Sequence, residues 1–309
     1  MPPVANKIAF VVATKDRPKD LRNLLKSLAS QSRLPDQIVI VDSSAQPVED
    51  VVGEFPSLAI RYIRHLPPSV SAQRNVGIRA VDAGTDLVAF IDDDAVLLPG
   101  ALDTLMRFWE RAPTDVGGVG FNLLNPPRHR GSKLAYYLAD RFGIYSRKLG
   151  DVSSGGLHSP AHNLREDQQV RWFSSCCCYR TDILKESAFD EFFDGYSYLE
   201  DLDFSYQVGK RYRLFILAGA GFNHYPSPGG RVSRFRFGQV EVRNRLYFVK
   251  KHGLSLWRCR LALLIVLART VGFAFRSWDR AEAERAAGNI CGLFRYLLCR
   301  GLPIRGQVE

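Results

Sequence analysis

The sequence predicts an α/β fold built on a mainly parallel sheet. Two features of the first 125 residues carry that prediction: apolar and amphipathic runs alternate, and the apolar runs are continuous. A third feature points to function. Three of the expected strands end in polar, mostly acidic residues, and ligands of such sheets sit beyond the carboxyl ends of the strands.

The elements follow in order. IAFVVA (8–13) reads as a buried strand. PKDLRNLLKSLASQ (18–31) sets Leu21, Leu24, Leu25 and Leu28 on one helical face, and Pro18 suits its first turn. QIVIVD (37–42) is a second strand, residues 47–54 a short helix and LAIRYI (58–63) a third strand. SVSAQRNVGIRAV (69–81) has a serine start and helical spacing, DLVAFI (86–91) is a fourth strand, PGALDTLMRFWERA (99–112) a helix and DVGGVGFNLL (115–124) a fifth strand. The stretch 126–170, richer in Pro, Gly, Ser and His, reads as loops with a mobile segment over the site. VRWFSSCCCYR (170–180) returns to a strand pattern, and 181–212 holds two helices separated by a turn at Gly195. RLFILAGAGFNHY (213–225) is a last strand running into His224. The cluster PSPGG (226–230) marks a boundary between a domain of residues 1–227 and a C-terminal extension of residues 228–309.

The net charge of +10 belongs to that extension, where 16 Lys/Arg stand against 5 Asp/Glu, while residues 1–227 are close to neutral. Basic tails bind nucleic acid or anionic lipid. Lipid is favoured over nucleic acid because LALLIVLA (261–268), VGFAF (271–275) and ICGLFRYLLC (290–299) are interleaved with arginines. The uninterrupted runs are too short to span a bilayer, so an interfacial helix pair is expected, with packing on the protein or on a second copy as the alternative. The N-terminus lacks the pattern of a signal peptide and reads as the first strand of a cytoplasmic domain. Of the six cysteines, Cys176, Cys177 and Cys178 are consecutive and the others scattered, which is neither a secreted disulfide framework nor a zinc pattern. The triplet is expected to supply small buried side chains.

Strand 1 ends in Thr14-Lys15-Asp16-Arg17, strand 2 in Asp42-Ser43-Ser44 and strand 4 in Asp92-Asp93-Asp94. The absence of a glycine-rich turn after strand 1 disfavours a dinucleotide fold, and there is no P-loop. Three adjacent carboxylates repel one another, and a D-x-D pair in a turn can hold Mg2+ or Mn2+ with positions open for phosphates. A solvated turn is the plain alternative. Asp42 can accept from a base N–H, and Arg17 and Arg74 can pair with phosphates; each also reads as a surface or capping residue. Glu200-Asp201-Leu202-Asp203 opens an amphipathic helix with Phe204 and Val208 inward. Carboxylates favour a helix N-terminus without any function, but beside a metal–phosphate site one is a natural general base. His224, judged alone, reads as structural. His158 and His162 are four apart with Pro160 between them, which argues against a shared helical face.

Taken together, VVATKDRPKDLRNLLKSLASQ, QIVIVDSS, SAQRNVGIRAV, AFIDDDAVLLPGAL, YLEDLDFSYQV and FNHY, in that order, resemble the inverting nucleotide-sugar glycosyltransferases of family 2, with the GT-A fold. The likeness runs over about residues 8–250. It implies that Thr14, Arg17, Asp42, Arg74, Asp92 and Asp93 bind the nucleotide sugar. It also implies that Asp94 ligates Mn2+ or Mg2+ directly, with Asp92 and His224 completing the metal site. Asp201 matches the catalytic base, and Glu200 and Trp172 are assigned to the acceptor. Two departures stand out: SSCCCYR replaces the commoner small Gly/Ala residues, and the QxxRW motif of processive synthases is lacking after His224.

The expectation is a metal-dependent transferase moving one sugar from a nucleotide-diphosphate donor to a hydroxyl on a glycan or lipid-linked acceptor. It would work at the inner face of the cytoplasmic membrane. A sugar-phosphate nucleotidyltransferase and a non-catalytic membrane adaptor are the rivals. The first lacks its Arg-containing glycine loop, where TKDRP stands instead.

Overall fold

The computed structural model describes residues 6–127, 133–227, 229 and 232–298. It divides into two compact units, Met1–Arg128 with Pro160–Gly230, and His129–Ser159 with Arg231–Glu309. The segment before Pro160 therefore groups with the C-terminal helices, whereas the sequence placed it in the first domain. Cys299, at the end of the last expected apolar run, and Pro228 and Gly230 of PSPGG lie outside the described residues.

The first unit begins with β1 (Ile8–Thr14), α1 (Pro18–Ala29), β2 (Gln37–Asp42), α2 (Glu49–Gly53), β3 (Ile60–Arg64), α3 (Val70–Ala80) and β4 (Leu87–Phe90). The four α1 leucines are fully buried. Truncating one to alanine would cost about 2–5 kcal/mol. Along β1 the side chains alternate, Ile8, Phe10 and Val12 packing with α1 and Val11 joining the opposite core, so both faces are covered. α3 lies close on the second face: a Cβ on Gly77 would stand 2.3 Å from Val11 Cγ1. Beyond β4 come β5 (Ala95–Leu97), α4 (Ala101–Trp109) and β6 (Val116–Leu123). After α5 (Lys133–Arg141), which belongs to the other unit, the sheet unit resumes with β7 (Gln168–Val170), β8 (Cys177–Arg180), α6 (Thr181–Glu186), α7 (Glu200–Val208) and β9 (Arg213–His224).

The sheet order is β3-β2-β1-β4-β8-β6-β9-β5, with β7 on β9. β3, β2, β1 and β4 are parallel as expected. The sheet then becomes mixed, because β8 runs antiparallel between β4 and β6. β6 consequently points the same way as β4, and β9 pairs parallel with β6. The carboxyl ends of β1, β2, β4 and β9 thus share one edge. β5 was not expected from the sequence. It runs antiparallel to the end of β9, with Ala95 opposite His224.

The second unit holds α5, α8 (Arg234–Lys251), α9 (Leu256–Ser277) and α10 (Arg280–Leu298). α8 and α10 approach through glycines: a Cβ on Gly288 would stand 2.0 Å from the Phe235 carbonyl oxygen. Across the same contact Arg285 donates to Glu241 at 2.8 Å. The loop after α5 is held by Arg245, which donates to the Gly156 carbonyl at 2.6 Å, and by Arg258, which donates to Ser154 at 2.8 Å. Helix α5 falls where loops were expected, its nine residues hidden among flanking turn formers.

Candidate active site

The parallel start of the sheet sets Thr14, Asp42 and the Asp92–Asp94 turn on one edge, and β9 delivers His224 to it. The β5–β9 ladder fixes the last approach. Tyr225 N–H donates to the Asp94 carbonyl at 2.9 Å, and His224 Nε2 lies 2.8 Å from Asp94 Oδ1. One ligand atom from each of Asp92, Asp94 and His224 falls within 4.8 Å of the others.

Each aspartate of the triplet has its own environment. Asp93 is buried, accepts from the Thr14 hydroxyl at 2.7 Å and pairs with Arg17 at 2.8 Å. Burial pushes its carboxyl up to about 7, against the pull of Arg17 and Thr14. Asp94 accepts from the Ser227 amide at 3.2 Å and lies 3.4 Å from Arg17. Burial works to raise it, but the His224 hydrogen bond and charge hold it below the usual carboxylate range. Asp92, the most open of the three, accepts from Arg74 at 3.1 Å.

Arg74 extends this cluster to the acidic helix start. Its other terminal nitrogen donates to Glu200 Oε1 at 3.0 Å, and its guanidinium lies over the Phe189 ring. Burial alone would lower this arginine; the charges of Glu200 and Asp92 hold it above its ordinary value. At the head of α7, Leu199 adopts a left-handed conformation at φ 79°, and Phe204 and Val208 are buried as expected. Burial pushes Asp201 up to about 6 against the pull of Arg74, and pushes Glu200 up too, helped by the Asp201 charge. A carboxyl in that range is suited to exchange a proton near neutral pH.

Asp42 stands apart from the triplet. It accepts from the Ser44 and Val48 amides, from Tyr62 and from Arg64, four donors of its own chain. Burial raises it, and these hydrogen bonds outweigh burial and bring it below the ordinary value. Trp172 lies between β7 and β8 with its ring buried. Cys176, Cys177 and Cys178 are free and buried, as read from the sequence. Burial pushes the Cys177 thiol up to about 12.

Several contributors were missed in the sequence. Gln73 donates to the Thr14 and Val41 carbonyls, tying the ends of β1 and β2 together. Asn75 exchanges hydrogen bonds with the Phe189 backbone, and Ser71 donates to the Phe193 carbonyl. This buried polar face of α3 fixes the loop that leads into Glu200 and Asp201. The signal was present: SAQRN puts polar residues where a packed helix face needs apolar ones. PSPGG, read only as a boundary, also reaches the site, because the Gly229 carbonyl accepts from Arg17 at 3.0 Å.

The family model for glycosyl transferase family 2 matches residues 9–189. The chain belongs to that family. Residues 9–189 carry the family's glycosyltransferase domain. The uncharacterized glycosyltransferase YwdF of Bacillus subtilis (strain 168) is 32% identical over 139 residues, which is 43% of this chain. The chain spans about half (51%) of the length of that relative. Among solved structures, residues 1–349 of S. aureus TarS match with a TM-score of 0.55 at 18% identity, over 95% of this chain and 82% of that one. The mannosyltransferase PcManGT from Pyrobaculum calidifontis, solved with GDP-Man and Mn2+, matches with a TM-score of 0.57 at 17% identity, over 95% and 88%. These family 2 and structural likenesses identify the fold as GT-A.

Proposed function

We propose that this chain is a metal-dependent inverting glycosyltransferase. It moves one sugar from a nucleotide-diphosphate sugar to an acceptor hydroxyl on a lipid-linked or polysaccharide intermediate. The observation that carries the reading is the bridge made by Arg74, which links Asp92 beside the Asp94–His224 pair to Glu200 beside Asp201.

The donor set fits a divalent cation. Two carboxylate oxygens and an imidazole nitrogen within 4.8 Å of one another suit Mn2+ or Mg2+, and the imidazole leans the choice toward Mn2+. When bound, the ion supplies charge neutralisation for a departing diphosphate. A neighbouring fold with GDP-Man and Mn2+, another with UDP-GlcNAc and a third with UDP, GalNAc and Mn2+ support a nucleotide-sugar donor.

The chain's own residues divide the work. In this reading Arg17 meets the phosphate oxygens and Asp93, itself held by Thr14, keeps it there. Asp42, buried and taken up by Ser44, Val48, Tyr62 and Arg64, shapes the base and ribose pocket through those partners. Asp201 takes the proton of the acceptor hydroxyl as that oxygen bonds to the anomeric carbon. The bond from that carbon to the diphosphate oxygen breaks, and the nucleoside diphosphate leaves. A single displacement from the opposite face inverts the anomeric centre. In this reading Glu200 and Trp172 belong to the acceptor side. In this reading the enzyme works at the inner face of the cytoplasmic membrane, which the basic character of residues 228–309 supports.

The test is product formation with UDP-, GDP-, dTDP- and CMP-sugars, each with and without Mn2+. Release of free nucleotide together with acceptor-linked sugar supports the reading. Pyrophosphate release from a nucleoside triphosphate and a sugar phosphate would instead identify a nucleotidyltransferase.

A further inference from the structure

We infer that α9 lies in the plane of an anionic membrane surface, with one apolar face among the lipid chains and its arginines at the phosphates. This rests on the membrane placement proposed above and is independent of the transfer chemistry.

One side of α9 is occupied, since Cys259, Ala262, Leu263 and Thr270 are buried in the C-terminal unit. The other side is exposed and apolar. Trp257, Leu261, Leu264, Ile265, Ala268 and Phe275 recur at helical spacing, Trp257 at 59% exposure, Leu264 at 54% and Phe275 at 78%. A soluble surface rarely carries so continuous an apolar stripe without a partner.

Charge names the partner. Leu256–Ser277 contains four arginines and no acidic residue. At 3.6 residues per turn, Arg260 borders the stripe on one side and Arg269 and Arg276 border it on the other, and all three are exposed. Two copies of this face brought together by a two-fold axis would set like charges against each other with no acid on either helix. Lipid phosphates carry the complementary sign and lie at the depth where arginines flanking an immersed stripe emerge.

The end of the helix points the same way. Trp278 occupies a left-handed position at φ 51°, where glycine is usual, and is 92% exposed. Nothing in the unit covers the indole enough to account for it there, whereas the lipid headgroup level is where tryptophan is enriched. No helix among the described residues is long and apolar enough to cross a membrane, which leaves the in-plane arrangement.

The full chain reports on itself. Of its four tryptophans, Trp109 and Trp172 are buried, while Trp257 and Trp278 are exposed on this surface. The experiment mixes the 309-residue chain with vesicles of phosphatidylcholine alone or containing about a third phosphatidylglycerol. It reads co-sedimentation and tryptophan emission. Binding to the anionic vesicles with a blue shift is expected. Leu264→Ser with Phe275→Ser, its circular dichroism unchanged, should weaken partition by about tenfold or more. Arg260→Gln, Arg269→Gln and Arg276→Gln together should remove the preference for phosphatidylglycerol.

No binding to either vesicle overturns the membrane placement itself. Anionic binding unchanged by the Leu264/Phe275 variant overturns only the assignment to α9. A dimer that this variant dissolves, without vesicle binding by the parent chain, gives the face to a second copy and overturns the lipid assignment.

Discussion

His224 Nε2 and Asp94 Oδ1 lie 2.8 Å apart although 130 residues separate them in the chain. A three-residue strand and the end of a twelve-residue one create that contact. β5 leaves the aspartate turn at once and runs antiparallel to the end of β9, so Ala95 sits opposite His224 and Asp94 falls beside it. A histidine that reads as structural when judged alone becomes the third donor of an acidic cluster.

Metal-dependent nucleotide binding should therefore depend on both ends of this contact. Asp94→Asn is expected to abolish the Mn2+-dependent part of nucleotide binding by calorimetry, and His224→Ala to weaken it by about tenfold or more. Unchanged binding in Asp94→Asn would remove the metal from this cluster.

Asp201→Asn should retain donor binding and lose turnover by about 10²–10⁴-fold, the usual contribution of a positioned general base. Single-turnover transfer with saturating donor measures it. Near-normal turnover would move the base elsewhere.

If Asp201 is the base, as proposed, its proton uptake should set a pH limit. Burial pushes this carboxyl up to about 6, so it must lose its proton to act, and kcat/KM should fall as the pH drops through about 6. The stability consequence has the opposite sense. A carboxyl raised on folding adds stability while protonated, and that contribution is lost as pH rises through the folded value. Asp201→Asn should thus melt a few degrees higher than the parent at pH 8, with the gap closing toward pH 4. An acid limb in the parent that stays flat to pH 5 would refute the assignment.

Arg74 is buried between two carboxylates, Asp92 and Glu200. Arg74→Met leaves both without their cation, and breaking a buried pair costs about 3–5 kcal/mol. The melting temperature should fall by roughly 10 °C. A shift of a degree or less would mean that the bridge does not persist in solution.

Much of the sheet unit was legible because its strands are continuous apolar runs and its first helix carries four leucines on one face. The strand ends could be ranked as ligand positions from the acidic residues alone. What escaped was short or polar. β5 has three residues, too few to show a period, and its partner lies far away in the chain. The α3 residues Ser71, Gln73 and Asn75 are buried polar groups whose partners are backbone atoms far away in the chain; SAQRN shows polar residues on a packed face but not which atoms they meet. The antiparallel insertion of β8 was equally invisible, since a buried strand reads as apolar in either direction. Of the C-terminal unit, α9 and α10 showed in their apolar runs, whereas α5 and α8 did not, and the glycine contacts that join α8 and α10 depend on tertiary approach.

The central claim is that the Asp92, Asp94 and His224 cluster holds a divalent cation that recruits a nucleotide-diphosphate donor. Thermal melting of the purified chain with UDP, GDP, dTDP and CMP, each with and without Mn2+, tests it most directly. The account predicts that one nucleotide raises the melting temperature only when Mn2+ is present, and that Asp94→Asn abolishes the effect. Equal melting temperatures under all conditions, at ligand concentrations far above a millimolar affinity, would contradict it.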